Sequence, residues 1–136
     1  MMNRRQFVLT ISLTFAFLSS VAASPAVDSL LDEYRQQGAG PFSAGAGREL
    51  WNQAFASARS NGPRRCASCH TADPRRPGKH ARTGKAIDPL APSVQPARLT
   101  DGGKVRKWFK RNCQWTMGRP CTAQEKGDLL LFLKHR

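Results

Sequence analysis

Apolar positions along the chain fall into four stretches of helical spacing, separated by polar, glycine-rich and proline-rich segments. SPAVDSLLDEYRQQG, Ser24 to Gly38, puts Leu30, Leu31 and Tyr34 on one face, with Ser24 as N-cap, Pro25 in the first turn and Gly38 as the stop. RELWNQAFASAR, Arg48 to Arg59, spaces Leu50, Trp51, Ala54, Phe55 and Ala58 in the same way. Ser43 can cap before it, and Ser60 to Pro63 breaks it. A third helix is predicted from about Gly103 to Asn112, where Val105, Trp108 and Phe109 stand at i, i+3 and i+4 and Asn112 follows at i+7. The fourth, TAQEKGDLLLFLKHR, opens on a capping box of Thr122 and Glu125 and ends in Lys134, His135 and Arg136, where positive charge suits the helix dipole. The pattern predicts an all-α domain of about four helices.

Thr71 to Thr100 fits none of these periods and is rich in proline, glycine and basic residues. An irregular loop of that length in a small domain needs an object to wrap. The first residues read differently. Arg4 and Arg5, an apolar run from Phe7 to Leu18 and then small residues predict a signal peptide over 1–23, cleaved after Ala23, ahead of a single domain over 24–136. The apolar run is too short to span a bilayer easily. Arg4–Arg5 also hints at twin-arginine export. Export to the periplasm places the four cysteines in an oxidising compartment. The net charge of +13 stays strongly positive without the leader. It suits acidic proteins or an anionic membrane, and export argues against nucleic acid.

CASCH, Cys66 to His70, supplies the object for the loop. Sulfurs three positions apart reach both vinyl groups of one haem, and the following His70 can turn its imidazole to the iron as proximal ligand. A zinc site would need a second pair at a different spacing from Cys113 and Cys121, and a thioredoxin-like dithiol would need a βαβ pattern. One such motif predicts one covalent haem c, and attachment to an unfolded chain disfavours the twin-arginine route. Trp51, Phe55, Trp108 and Phe109 are the expected cavity wall.

The opposite axial position has several candidates. His80 lies in a strongly basic stretch and is expected to be exposed; His135 is penultimate and frays. Met117 offers a thioether that suits electron transfer, but it sits between Cys113 and Cys121. Asn112 continues the apolar stripe of its helix with an amide oxygen, unless it merely caps the helix end. The residues alone leave Asn112, Met117 and no strong sixth ligand all open. Cys113 and Cys121 remain after haem takes two cysteines, and outside the cytoplasm they are expected to bond to each other, with a redox-active disulfide as the sharper alternative.

The combination of CASCH, TGKAIDPLAPS, RLTDGGKVRKWFKRNC and GRPCTAQEKGDLLLFL resembles the Sphaeroides haem protein family, class I cytochromes c with an asparagine axial ligand. The similarity runs over nearly the whole chain after the leader. PLAPS, KWFKRNC and CTAQEKGD carry its specificity, since C-x-x-C-H alone is common. The resemblance implies a class I cytochrome c fold, Asn112 as distal iron ligand, and a small disulfide loop from Cys113 to Cys121 with Met117 facing outward. It implies an asparagine that leaves on reduction, opening a position for a diatomic such as oxygen or nitric oxide. It also implies another periplasmic or membrane-bound cytochrome as partner. The function expected is an exported monohaem c-type cytochrome that transfers one electron and has this displaceable ligand. One rival is a plain His70/Met117 electron shuttle. Another is a haem enzyme acting on peroxide, oxygen or nitric oxide. Such an enzyme needs a distal acid–base group, for which only His80 offers itself.

Overall fold

Leu129, Leu130, Phe132 and Leu133 are all buried, so the last helix is apolar on more than one side and packs at the centre. The computed structural model describes residues 24–56 and 62–136, so the expected leader and Ala58 lie outside the described residues. Among the described residues, five helices and a minimal ribbon follow in order. They are α1 (Pro25–Gln36), α2 (Ala44–Asn52), α3 (Ala67–His70), β1 (Gly78–Lys79), β2 (Ala86–Ile87), α4 (Gly102–Met117) and α5 (Ala123–Lys134). The four expected helices are present, with a single turn, α3, added at the CASCH motif.

Two apolar clusters hold α5. Val27, Leu30, Leu31 and Tyr34 of α1 meet Leu130, and Trp51 of α2 meets Leu129, Phe132 and Leu133. Each fully buried leucine contributes roughly 1.5–3 kcal/mol. Helices α2 and α5 cross closely because Gly47 lacks a β-carbon, which would collide with the Asp128 carbonyl. The buried Asp128 carboxylate also accepts the Ser43 N–H at 2.7 Å, just before α2. The capping box of α5 is present: Thr122 Oγ1 accepts the Glu125 N–H, and the Glu125 carboxylate accepts the Thr122 N–H.

Three boundaries differ from the sequence reading. Ser24 stands at the N-cap of α1, but its hydroxyl does not cap; it donates to the Leu99 carbonyl at 2.7 Å and ties the helix to the loop. Helix α2 begins at Ala44, capped by Ser43, and ends at Asn52. Ala54 and Phe55 therefore leave the helix although their spacing continues it. Two backbone hydrogen bonds between Phe55 and Arg64 replace the helical ones and lead the chain toward Cys66. Helix α4 is capped by the Asp101 carboxylate, which accepts the Lys104 N–H at 3.0 Å. It runs past Asn112 to Met117 and stops at Gly118, whose φ of 73° is left-handed. Asn112 is thus inside a helix and is not its cap. Cys113, Thr116 and Met117 are buried along the added turn, and Cys113 is paired with Cys121 across a Cα separation of 5.5 Å. That link joins the end of α4 to the start of α5.

The long loop is tied in place by its backbone. The N–H groups of Leu90 and Ala91 both donate to the Pro74 carbonyl, at 2.9 and 3.1 Å. Gly78 pairs with Ile87 and Lys79 with Ala86 in the antiparallel ribbon. Arg98 anchors the far end by donating to the Pro89 carbonyl at 2.8 Å.

Candidate functional site

Between the CASCH turn, the loop, α4 and α5 lies a cleft of about 810 Å³, near the upper end of the roughly 300–1,000 Å³ typical of cofactor sites. Its floor is apolar, with Leu90, Leu99, Leu129, Leu130 and Leu133. Cys66, Cys69 and His70 of the CASCH turn line the cleft together with Val105, Trp108, Phe109 and Asn112 of α4. The stripe read from the third helix is therefore a wall of the cleft.

The CASCH side is tightly determined. Cys66 precedes α3 and Cys69 lies in it, so their sulfurs sit about one turn apart, and neither is disulfide-bonded. Thr71 ends the turn at φ 64°, a costly conformation for a β-branched residue. Its carbonyl accepts the Trp51 indole N–H at 2.8 Å, and the Trp51 ring lies 5.6 Å from the His70 ring. Trp51 therefore steadies the backbone and the imidazole together. Behind the turn, a β-carbon on Gly78 would strike the Cys69 carbonyl, so β1 presses directly on it.

Electrostatics match this placement. Burial, aided by the nearby Arg98 cation, pushes the His70 imidazole down to about 4, so the ring is neutral with a free lone pair. Its Nδ1 is buried without a hydrogen-bond partner. Burial pushes the Cys66 thiol up to about 11 and keeps it protonated. Two unbonded thiols, a neutral histidine and a deep apolar cleft are the donor set that a covalent haem requires. A chain that takes haem in this way is a c-type cytochrome.

Comparison with known proteins narrows the class. A family described as a domain of unknown function, DUF1924, matches residues 37–133. The cytochrome c-type protein SHP of Cereibacter sphaeroides is 42% identical over 125 residues, which cover 88% of this chain and 95% of SHP. A structure of oxidized SHP, described as an oxygen binding cytochrome c, superposes with a TM-score of 0.74 at 41% identity, covering 81% of this chain and 96% of that one. The crystal structure of oxidized cytochrome c'' from Methylophilus methylotrophus gives 0.71 at 33% identity, covering 82% and 95%. The chain belongs to the SHP family, and its cofactor is haem c.

Not every expected site residue lands where the sequence put it. Trp51, Trp108 and Phe109 line the cleft, whereas Phe55 packs outside it against the Cys113, Met117 and Cys121 cluster. Met117 is not an outward loop residue. It is the last residue of α4, 8% exposed, with its Sδ 3.6 Å from Cys121 Sγ, because the helix continues beneath the paired cysteines. His80 is not fully exposed either: it lines the cleft beside Trp115, while His135 is exposed elsewhere. Arg98 was missed altogether; it lies in an aperiodic loop and carries no local signal for its place in the cleft.

Proposed function

We propose that this chain is an exported, periplasmic one-electron carrier in which Cys66 and Cys69 hold the haem by thioether bonds and His70 and Asn112 supply the two axial ligands. The supporting observation is the position of Asn112 in the cleft wall, continuing Val105, Trp108 and Phe109 along α4. The haem supplies one-electron chemistry and, where an axial position opens, affinity for small diatomics. An amide oxygen is a neutral, hard donor that ferric iron holds better than ferrous iron does. Asn112 would therefore be the ligand held less well after reduction, and the cleft beside it would then suit oxygen or nitric oxide. The Cys113–Cys121 bridge limits how far the backbone beside Asn112 can follow. SHP is described as oxygen binding, which favours this reading.

The cleft mouth carries Arg65, Arg82, Lys85, Lys104 and Arg111 around a single acidic residue, Asp101. The partner proposed is accordingly another cytochrome, periplasmic or membrane-bound, with an acidic face. Among the described residues no helix is long and apolar enough to cross a membrane.

A plain shuttle with Met117 in place of Asn112 is the second reading, favoured by the burial of Met117 at the cleft wall. One preparation decides between them. Protein purified from the periplasm should have the mass of residues 24–136 plus haem with no free thiol. Its reduced form should bind carbon monoxide promptly. A methionine-to-iron charge-transfer band in the far red of the ferric spectrum, with no carbon monoxide adduct after reduction, would instead establish the shuttle.

A further inference from the structure

The residue whose place the sequence least anticipates is His80. It follows β1 in the loop and lines the same cleft as Asn112. Its ring packs against Trp115, centroid to centroid 6.2 Å. Trp115 stands three positions after Asn112 on α4, so the two share a helix face one turn apart. Trp115 is itself fixed: the Arg64 guanidinium lies 3.8 Å from its ring centre and donates to its carbonyl at 2.8 Å. His80 is thus held at the α4 side of the cleft, the side from which Asn112 enters.

Its tautomer is set as well. The Thr83 backbone N–H donates to His80 Nδ1 at 3.2 Å, and Thr83 Oγ1 lies 3.0 Å from the same nitrogen. An Nδ1 that accepts a backbone N–H carries no proton, so the neutral ring carries its proton on Nε2. Iron ligation through Nε2 would need the opposite tautomer, with a proton on Nδ1 facing the Thr83 N–H. The Thr83 contact therefore disfavours His80 as an axial ligand and makes Nε2–H a hydrogen-bond donor.

We propose that His80 donates a hydrogen bond from Nε2–H to a small diatomic ligand occupying the position that Asn112 vacates. This rests on the ligand-binding reading above. A donor at that place stabilises a polar diatomic, with charge shifted to its outer atom, more than a nonpolar one. It would separate oxygen from carbon monoxide in residence time while leaving the redox step to the haem and its axial pair.

The test uses ferrous holoprotein with carbon monoxide and oxygen as probes, comparing wild type, His80→Ala and His80→Gln. His80→Ala should raise the C–O stretching frequency in the infrared and speed oxygen dissociation about five- to tenfold, the loss of one ordinary hydrogen bond. His80→Gln, which keeps an N–H donor, should recover part of both. The ferric optical spectrum should be the same in all three. A C–O stretch and an oxygen dissociation rate unmoved in His80→Ala would overturn the role of His80 while leaving ligand binding standing. A ferric spectrum that turns high-spin in His80→Ala would make His80 an axial ligand and overturn it too. Wild-type ferrous protein that takes up no carbon monoxide would sink the ligand-binding reading itself, and His80 with it.

Discussion

The two walls of the cleft are built on opposite principles. On the CASCH wall the backbone around His70 is held in three ways: by the α3 turn, by the Trp51 indole on Thr71, and by β1 pressing through Gly78. On the α4 wall Asn112 is exposed to the cleft, while its neighbours Cys113 and Met117 are buried. One wall fixes the backbone that carries its imidazole; the other fixes a helix and leaves the Asn112 side chain open to the cleft. A weak donor on a rigid helix can leave and return by rotating its own side chain, without reorganising the backbone. If Asn112 is the displaceable ligand proposed above, lability is confined to one amide by the firmness of everything around it.

Substitutions on the α4 wall would break the comparison most sharply. Asn112→Ala should abolish the native ferric spectrum, leaving water or an open position, while haem stays attached and carbon monoxide binding to the reduced form changes little. Met117→Ala should do the reverse. It should leave the ferric spectrum nearly intact yet cost about 2–5 kcal/mol of stability in denaturant melts, because it empties a buried site against the paired cysteines. If Asn112→Ala keeps the native ferric spectrum and Met117→Ala loses it, the labile ligand has been assigned to the wrong residue.

A smaller effect sharpens the other wall. Trp51→Phe keeps an aromatic ring near His70 but removes the N–H bond to Thr71. It should lower stability by about 1 kcal/mol and leave carbon monoxide binding rates on the Asn112 side unaltered. Altered binding rates would show that the two walls are coupled. The smallest effect concerns the rim. Electron transfer with an acidic cytochrome should slow as ionic strength rises and the Debye length shrinks from roughly 30 Å at 0.01 M to roughly 3 Å at 1 M. A rate flat across that range would detach the basic residues from docking.

The same contrast governs what could be read from the chain. Helices α1 and α5 were legible nearly to the residue, because proline at a first turn and a capping box are local signals. The cysteine turn and the Val105 to Asn112 stripe were legible because their chemistry lies in spacing. The end of α2 was not: Phe55 keeps helical spacing, and only its pairing with Arg64, nine positions away, removes it from the helix. The end of α4 lies further on than Asn112 because the two cysteines suggest a loop, although Gly118, six residues beyond Asn112, offers a stop signal. His80 and Arg98 reach the cleft through loop hydrogen bonds that have no period, so no pattern in the sequence announces them.

Gly78 carries a consequence for how such a sequence can change over time. The loop around it is long, polar and largely exposed, the kind of segment that drifts freely in composition. Yet at this one position a single methyl group would push against the peptide that carries Cys69. Mutation can therefore rewrite the neighbours of Gly78 at little expense, whereas any replacement of Gly78 itself would be felt by the Cys69–His70 backbone next door. The loop is a permissive stretch of sequence with one fixed point, and that point is set by the absence of a side chain.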